Sequence, residues 1–164
     1  MLKIVLIAAI VLVIVPVLNP SFSEESNAVV PYPVNYRSWV HVKTAIIGPE
    51  SPAYATTGGF HHIYANEKAM EGYRGGKFPE GSVAVFDVLE AQENKGVTKE
   101  GPRKHIDVMV KDSQRFARTS GWGFEEFRGD SQTERSLTED AKSQCATCHS
   151  VSKERDAIIS AFRK

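Results

Sequence analysis

Ser82-Val83-Ala84-Val85-Phe86-Asp87-Val88-Leu89 is the stretch whose reading decides the fold. It is short, rich in Val and Phe, and preceded by the turn sequence Phe78-Pro79-Glu80-Gly81, so it reads as a strand. Toward the C-terminus, Lys104–Lys111 alternates, with Ile106, Val108 and Val110 on one face, and Gly121–Phe127 reads as a closing strand. The polar, Gly-containing stretch Ala91–Pro102 between them is expected to be a solvated hairpin connection. Toward the N-terminus, Gly59–Ala65 is a second candidate strand. Trp39–Ile47 is another, setting Val40 and Val42 against His41 and Lys43 until Gly48-Pro49 breaks it. Asn66 is a plausible N-cap for a short helix over Glu67–Arg74, stopped by Gly75-Gly76. Two further helical stretches are expected around Thr138–Gln144 and Ser152–Phe162. The fold class is therefore α+β, mainly antiparallel β-sheet with short helices attached.

Composition narrows the function classes. The chain has 164 residues, 41% hydrophobic and 24% charged, with 20 basic and 20 acidic side chains. That suits one globular domain, and the zero net charge argues against a nucleic-acid binder, which shows a basic excess or stripe. Residues 1–23 hold Lys3, an apolar run from Ile4 to Val15, and the small-residue site Ser21-Phe22-Ser23. This is the pattern of a secretory signal peptide, with an uncleaved anchor as the alternative. Either places the remainder outside the cytoplasm, in the periplasm, because no basic residue follows Lys3 until Arg37. Residues 24–35, with Pro31 and Pro33, read as an extended leader into a domain spanning 36–164.

The chemistry is concentrated in Cys145-Ala146-Thr147-Cys148-His149, which holds the only two cysteines in the chain. Cys-x-x-Cys-His is the pattern of covalent haem attachment: two thiols add across the haem vinyl groups, and the adjacent histidine is placed under the iron. The rival readings are a structural disulfide or a thioredoxin-like redox pair, but the latter needs a βαβ context that this sequence lacks. A zinc site would want more ligands than two Cys and one His. Position restricts the type further. Only 15 residues follow His149, whereas small electron-transfer cytochromes c carry the motif near the N-terminus with a distal Met downstream. Met70 and Met109 lie far upstream, where packing is the better expectation. Four long amphipathic helices, as in cytochrome c′, are excluded by the punctuated strands of 39–110. The haem c is expected on a β-rich scaffold, with a C-terminal attachment helix.

Several segments in order resemble the cytochrome P-460 family, including the related cytochromes c′-beta. They are Tyr36-Arg37-Ser38-Trp39-Val40, Ile63-Tyr64-Ala65-Asn66 and Phe78-Pro79-Glu80-Gly81-Ser82-Val83-Ala84-Val85. Val110–Ala117, Gly121-Trp122-Gly123-Phe124 and the terminal Cys145–His149 follow. The resemblance implies an antiparallel sheet with short helices, one covalent haem c with His149 as the iron ligand, and a homodimer. Hydroxylamine-oxidising members carry a lysine bonded to the haem edge. The matching position here is Phe86, and no lysine lies between Lys77 and Lys95. The c′-beta members instead cap the distal iron face with phenylalanine, which Phe86 fits, with Phe60 as an expected second wall. A phenyl ring has no lone pair, so it leaves iron five-coordinate and excludes polar species, while nitric oxide and carbon monoxide can still enter. The expectation is a gas-binding cytochrome. The alternatives are an oxidoreductase acting on hydroxylamine or a related nitrogen compound, and an electron-transfer cytochrome with a redox partner.

Other side chains compete for roles. His41, His61, His62 and His105 are candidate sixth ligands or proton donors, against a plainer reading as satisfied polar groups. One of His61-His62 must face inward if that segment is a strand. Arg37, Arg115 and Arg118 are candidates for the haem propionates, against a plainer reading as surface arginines.

Overall fold

The computed structural model describes residues 29–163. The proposed signal peptide, 1–23, and the start of the leader lie outside the described residues. Among those described, no helix is long and apolar enough to cross a membrane. The expected class is found: five strands, β1 (Val40–Ile47), β2 (Gly59–Ala65), β3 (Val83–Asn94), β4 (Val97–Lys111) and β5 (Trp122–Arg128), form one antiparallel sheet in chain order. Three helices attach to it: α1 (Tyr54–Thr57), α2 (Glu67–Gly75) and α3 (Glu139–His149).

Local chemistry explains the joints. Asn66 caps α2 by accepting from the Ala69 N–H at 2.9 Å, and its side chain also accepts from Val83 N–H at 3.0 Å and donates to the Gly81 carbonyl at 3.0 Å. One residue thus closes a helix and fixes where β3 begins. The solvated hairpin expected over Ala91–Pro102 is found, with longer strands than expected: β3 and β4 stay paired to Asn94 and Val97, and turn through Lys95-Gly96 alone. Both turn residues have positive φ, 52° and 76°, as a two-residue hairpin turn with the twist of its strands requires. The ribbon protrudes and is solvated on both faces, so no hydrophobic alternation marked it. The helix expected over Ser152–Phe162 is a 3-10 segment, Ser150–Arg155, followed by irregular chain. Asp156 and Ala157, both left-handed, end it.

Each face of the sheet carries its own apolar layer. One holds Val30, Tyr36, Val85, Ile106, Val108, Val110, Phe116 and Phe127. Buried in it is Asp87, fully shielded, which accepts from Tyr36 Oη at 2.8 Å, Arg37 Nε at 2.8 Å and Arg103 Nε at 2.6 Å. The other holds Val42, Ile63, Ala65, Met70, Ala84, Met109, Trp122 and Phe124, covered by α2, α3 and the C-terminal tail through Ile158 and Phe162. Met70 and Met109, 1% and 2% exposed, are packing residues here. This second face positions the site.

Candidate functional site

Thr138 starts α3 by accepting from the Ala141 N–H at 3.2 Å, and Glu139 and Asp140 complement the positive end of the helix. On the helix, Cys145, Cys148 and His149 stand three and four positions apart and share a face. Both cysteines are free: Cys145 is half-buried against the apolar layer and Cys148 is exposed. A disulfide between them is therefore absent, and both thiols remain available. Burial pushes the Cys145 thiol up from its ordinary pKa, and the charges of Asp107, Cys148 and Glu126 add to that.

His149 is held from two sides. Its ring lies 5.3 Å from that of Phe124, and Nδ1 is 2.8 Å from the Ala157 carbonyl oxygen. A carbonyl only accepts, so this bond places the proton on Nδ1 and leaves the lone pair on Nε2. That is the tautomer a metal ligand needs, with the backbone partner that orients such ligands.

Opposite the helix, the strand register arranges the sheet face in rows. Ala65, Ala84, Met109 and Phe124 are successive partners across β2 to β5 and form an apolar row. The next row is Ile63, Phe86, Asp107 and Glu126, and the third is His61, Val88, His105 and Arg128. The face thus grades from apolar to polar, with Phe86 at the boundary. Phe86 packs on the same layer as Cys145 and Ala146. Phe60 does not belong to this face. Strand alternation turns it to the other side, where it stacks on His62 with ring centroids 5.6 Å apart. The residue beside Phe86 is His61, with centroids 5.3 Å apart. Reading residues 59–65 as a strand required one of the two adjacent histidines to face inward; which one depended on register.

The polar row has its own electrostatics. Burial pushes the His61 imidazole below its ordinary pKa, which keeps it neutral. Burial works the same way on His105, but Asp107, at 3.6 Å from Nε2, and Glu126, at 4.0 Å, outweigh it and raise its pKa. Arg37 is committed to Asp87 on the far face, and Arg115 donates to the Val29 carbonyl at 2.7 Å.

The side chains present fit a covalently held haem. The two thiols and an imidazole with Nε2 free share one helical face, and Cys145 packs against the apolar layer that Phe86 also touches. Three buried polar atoms near this face, His61 Nε2, His105 Nε2 and Trp122 Nε1, have no hydrogen-bond partner within the protein. No curated protein matches this sequence. A family model described as cytochrome P460 matches residues 33–160, from the leader through the Cys-x-x-Cys-His helix to the C-terminal tail, and the chain belongs to that family.

Proposed function

We propose that this member is an exported c-type cytochrome with one haem bound through Cys145 and Cys148, which takes nitric oxide or a similar diatomic gas. Family membership makes it a haem cytochrome; the narrower reading rests on Phe86, which lies on the sheet face that Cys145 of α3 packs against, in a strand that contains no lysine. When bound, haem would supply an iron able to take a small gas ligand.

The protein's own residues do the rest. Cys145 and Cys148 would anchor the group to α3, and His149 would present Nε2 to it, because Ala157 holds the other nitrogen. Phe86 contributes an apolar ring without a lone pair, which would keep water from the iron without ligating it. Met70 and Met109 are enclosed in the core and Lys111 is paired with Asp156, so none of them is poised as a sixth ligand. Export rests on the pattern of residues 1–23, and homodimer formation on the resemblance to c′-beta members.

A second reading, oxidation of hydroxylamine or a related polar nitrogen compound, is favoured by Asp107 and Glu126, two carboxylates in the same row as Phe86. The absence of a lysine on β3 weighs against it. The absorption spectrum of the purified ferrous protein, before and after nitric oxide, decides between the two. An ordinary five-coordinate c-type spectrum that shifts with nitric oxide is the expected result. A strongly red-shifted main band would mean a cross-linked macrocycle and give the enzyme reading the lead. A six-coordinate low-spin spectrum unresponsive to nitric oxide would rule out gas binding.

A further inference from the structure

His61 is the one imidazole in ring contact with Phe86 among the described residues, at 5.3 Å between centroids, on the sheet face that Cys145 and Ala146 of α3 pack against. Its Nε2 is buried and makes no hydrogen bond to any protein group. Leaving a buried N–H or ring nitrogen unpaired is costly, so such an atom in a native structure calls for an explanation. Asp107, in the adjacent row of the same face, acts on it through its charge without a hydrogen bond, and the other neighbours supply no partner. Val88, its partner on β3, is apolar, and His105, two strands away, directs Nε2 toward Asp107 and Glu126. The adjacent His62 is engaged on the opposite face, through Thr44 Oγ1 at 2.8 Å and Glu100 at 2.8 Å.

We propose that His61 is the specificity-determining polar contact of the ligand pocket, donating a hydrogen bond from Nε2 to a diatomic ligand held beside Phe86. The inference rests on the gas-binding reading above and adds to it the chemical class of ligand favoured. Phe86 admits small apolar molecules; His61 selects among them for the ones whose outer atom accepts a hydrogen bond, such as dioxygen or nitroxyl, over carbon monoxide. Desolvation keeps the imidazole neutral, so it carries one N–H and no charge, and the proposal places that proton on Nε2. A neutral donor in a water-poor pocket polarises a ligand without drawing in the counter-ion or water that a cation would. A wall made of Phe86 and Phe60 together would have no such donor.

Carbon monoxide is the probe, because its stretching frequency falls when a donor approaches its oxygen. The infrared spectrum of the ferrous carbon monoxide adduct is recorded for the unaltered holoprotein, His61→Leu, His61→Phe and His61→Gln. The expected result is a band at lower wavenumber in the unaltered protein than in His61→Leu or His61→Phe, with His61→Gln between them. Exchange into D2O shifts the band of the unaltered protein and leaves the apolar variants unmoved. Coincident bands with no D2O effect overturn the role of His61 and leave gas binding standing. Failure of the unaltered protein to form any adduct overturns both. Should the apolar variants fail to accumulate as haem protein, a band in the unaltered protein that ignores D2O overturns the proposal by itself.

Discussion

Nδ1 of His149 lies 2.8 Å from the carbonyl oxygen of Ala157, a residue that follows it by eight positions and has left the helix. Ala157 can present that carbonyl because it and Asp156 both adopt positive φ, 66° and 50°, an unfavourable conformation for residues other than glycine. The turn is held by the sheet. Asp156 Oδ1 accepts from Lys111 Nζ at 2.7 Å, and Oδ2 accepts from the Phe78 N–H at 3.2 Å. Lys111, only 8% exposed, lies over the Trp122 ring at 5.1 Å. The orientation of the His149 imidazole is thus set from the end of β4 through a single carboxylate.

Asp156→Ala should therefore act in two ways. It strands the buried Lys111 ammonium, which costs about 3 kcal/mol when one partner of a shielded pair is removed. It also frees the turn that presents the Ala157 carbonyl, so the His149 imidazole loses its fixed tautomer and orientation. Denaturant unfolding should show the loss of stability, and the iron–histidine stretching band of the ferrous protein should broaden or shift. Pairing the change with Lys111→Met should recover much of the stability, because no charge is then stranded, without restoring the band.

Asp87 makes an acid-stability prediction on the opposite face. Burial would raise its pKa, but the hydrogen bonds from Arg103, Tyr36 and Arg37 outweigh burial and hold it below the ordinary carboxylate range. A depressed carboxyl binds its proton more readily in the unfolded chain. Its stabilising contribution is present above the unfolded value of about 3.9 and is lost as pH falls through the lower folded value. Asp87→Asn should cost about 3 kcal/mol at neutral pH, since two guanidinium groups lose their anion. It should also flatten the dependence of unfolding free energy on pH below about pH 4. Urea titrations at a series of acidic pH values, run on both proteins, check the two effects together.

Much of this architecture was legible where residues answer to local physics. The Val-rich run from Ser82 shows strand chemistry, Asn66 and Thr138 show caps, and Cys145–His149 carries its spacing on one helical turn. What was not legible shares a cause: the deciding contact is distant in sequence. The ribbon on either side of Lys95-Gly96 is solvated on both faces, so its pairing leaves no apolar pattern. The C-terminal tail reads as helical until Asp156 is drawn to Lys111, 45 positions away. Phe60 and His61 are adjacent, and which faces Phe86 depends on the register that pairs Ile63 with Phe86, which sequence alone does not specify.

The two cysteines should not be equivalent. Cys145 is half-buried against the apolar layer, beside Asp107 and Glu126, whereas Cys148 is exposed. Cys148→Ala should leave a protein that still folds around α3 and retains haem through one thioether, with a red shift of the pyridine haemochrome band. Cys145→Ala removes packing as well as a bond, so less haem protein should accumulate. Intact-mass spectrometry under denaturing conditions shows whether haem remains covalently attached in each variant.

Phe86 is the residue on which the gas-binding reading stands most directly. It lies in a row with Ile63 on one side and Asp107 and Glu126 on the other, so removing its ring opens the apolar layer to these carboxylates. Phe86→Ala should lower stability by about 3 kcal/mol or less, because the side chain is only partly buried. The larger effect should be on exclusion. Water would reach the open axial side, the ferric spectrum should acquire six-coordinate character, and nitric oxide should dissociate at a different rate. Phe86→Leu keeps an apolar side chain without the flat ring and should fall between the two. Resonance Raman coordination markers read the effect independently of any activity. If Phe86→Ala stays five-coordinate across the neutral range, Phe86 is an ordinary packing residue and the ligand pocket must be bounded by other side chains.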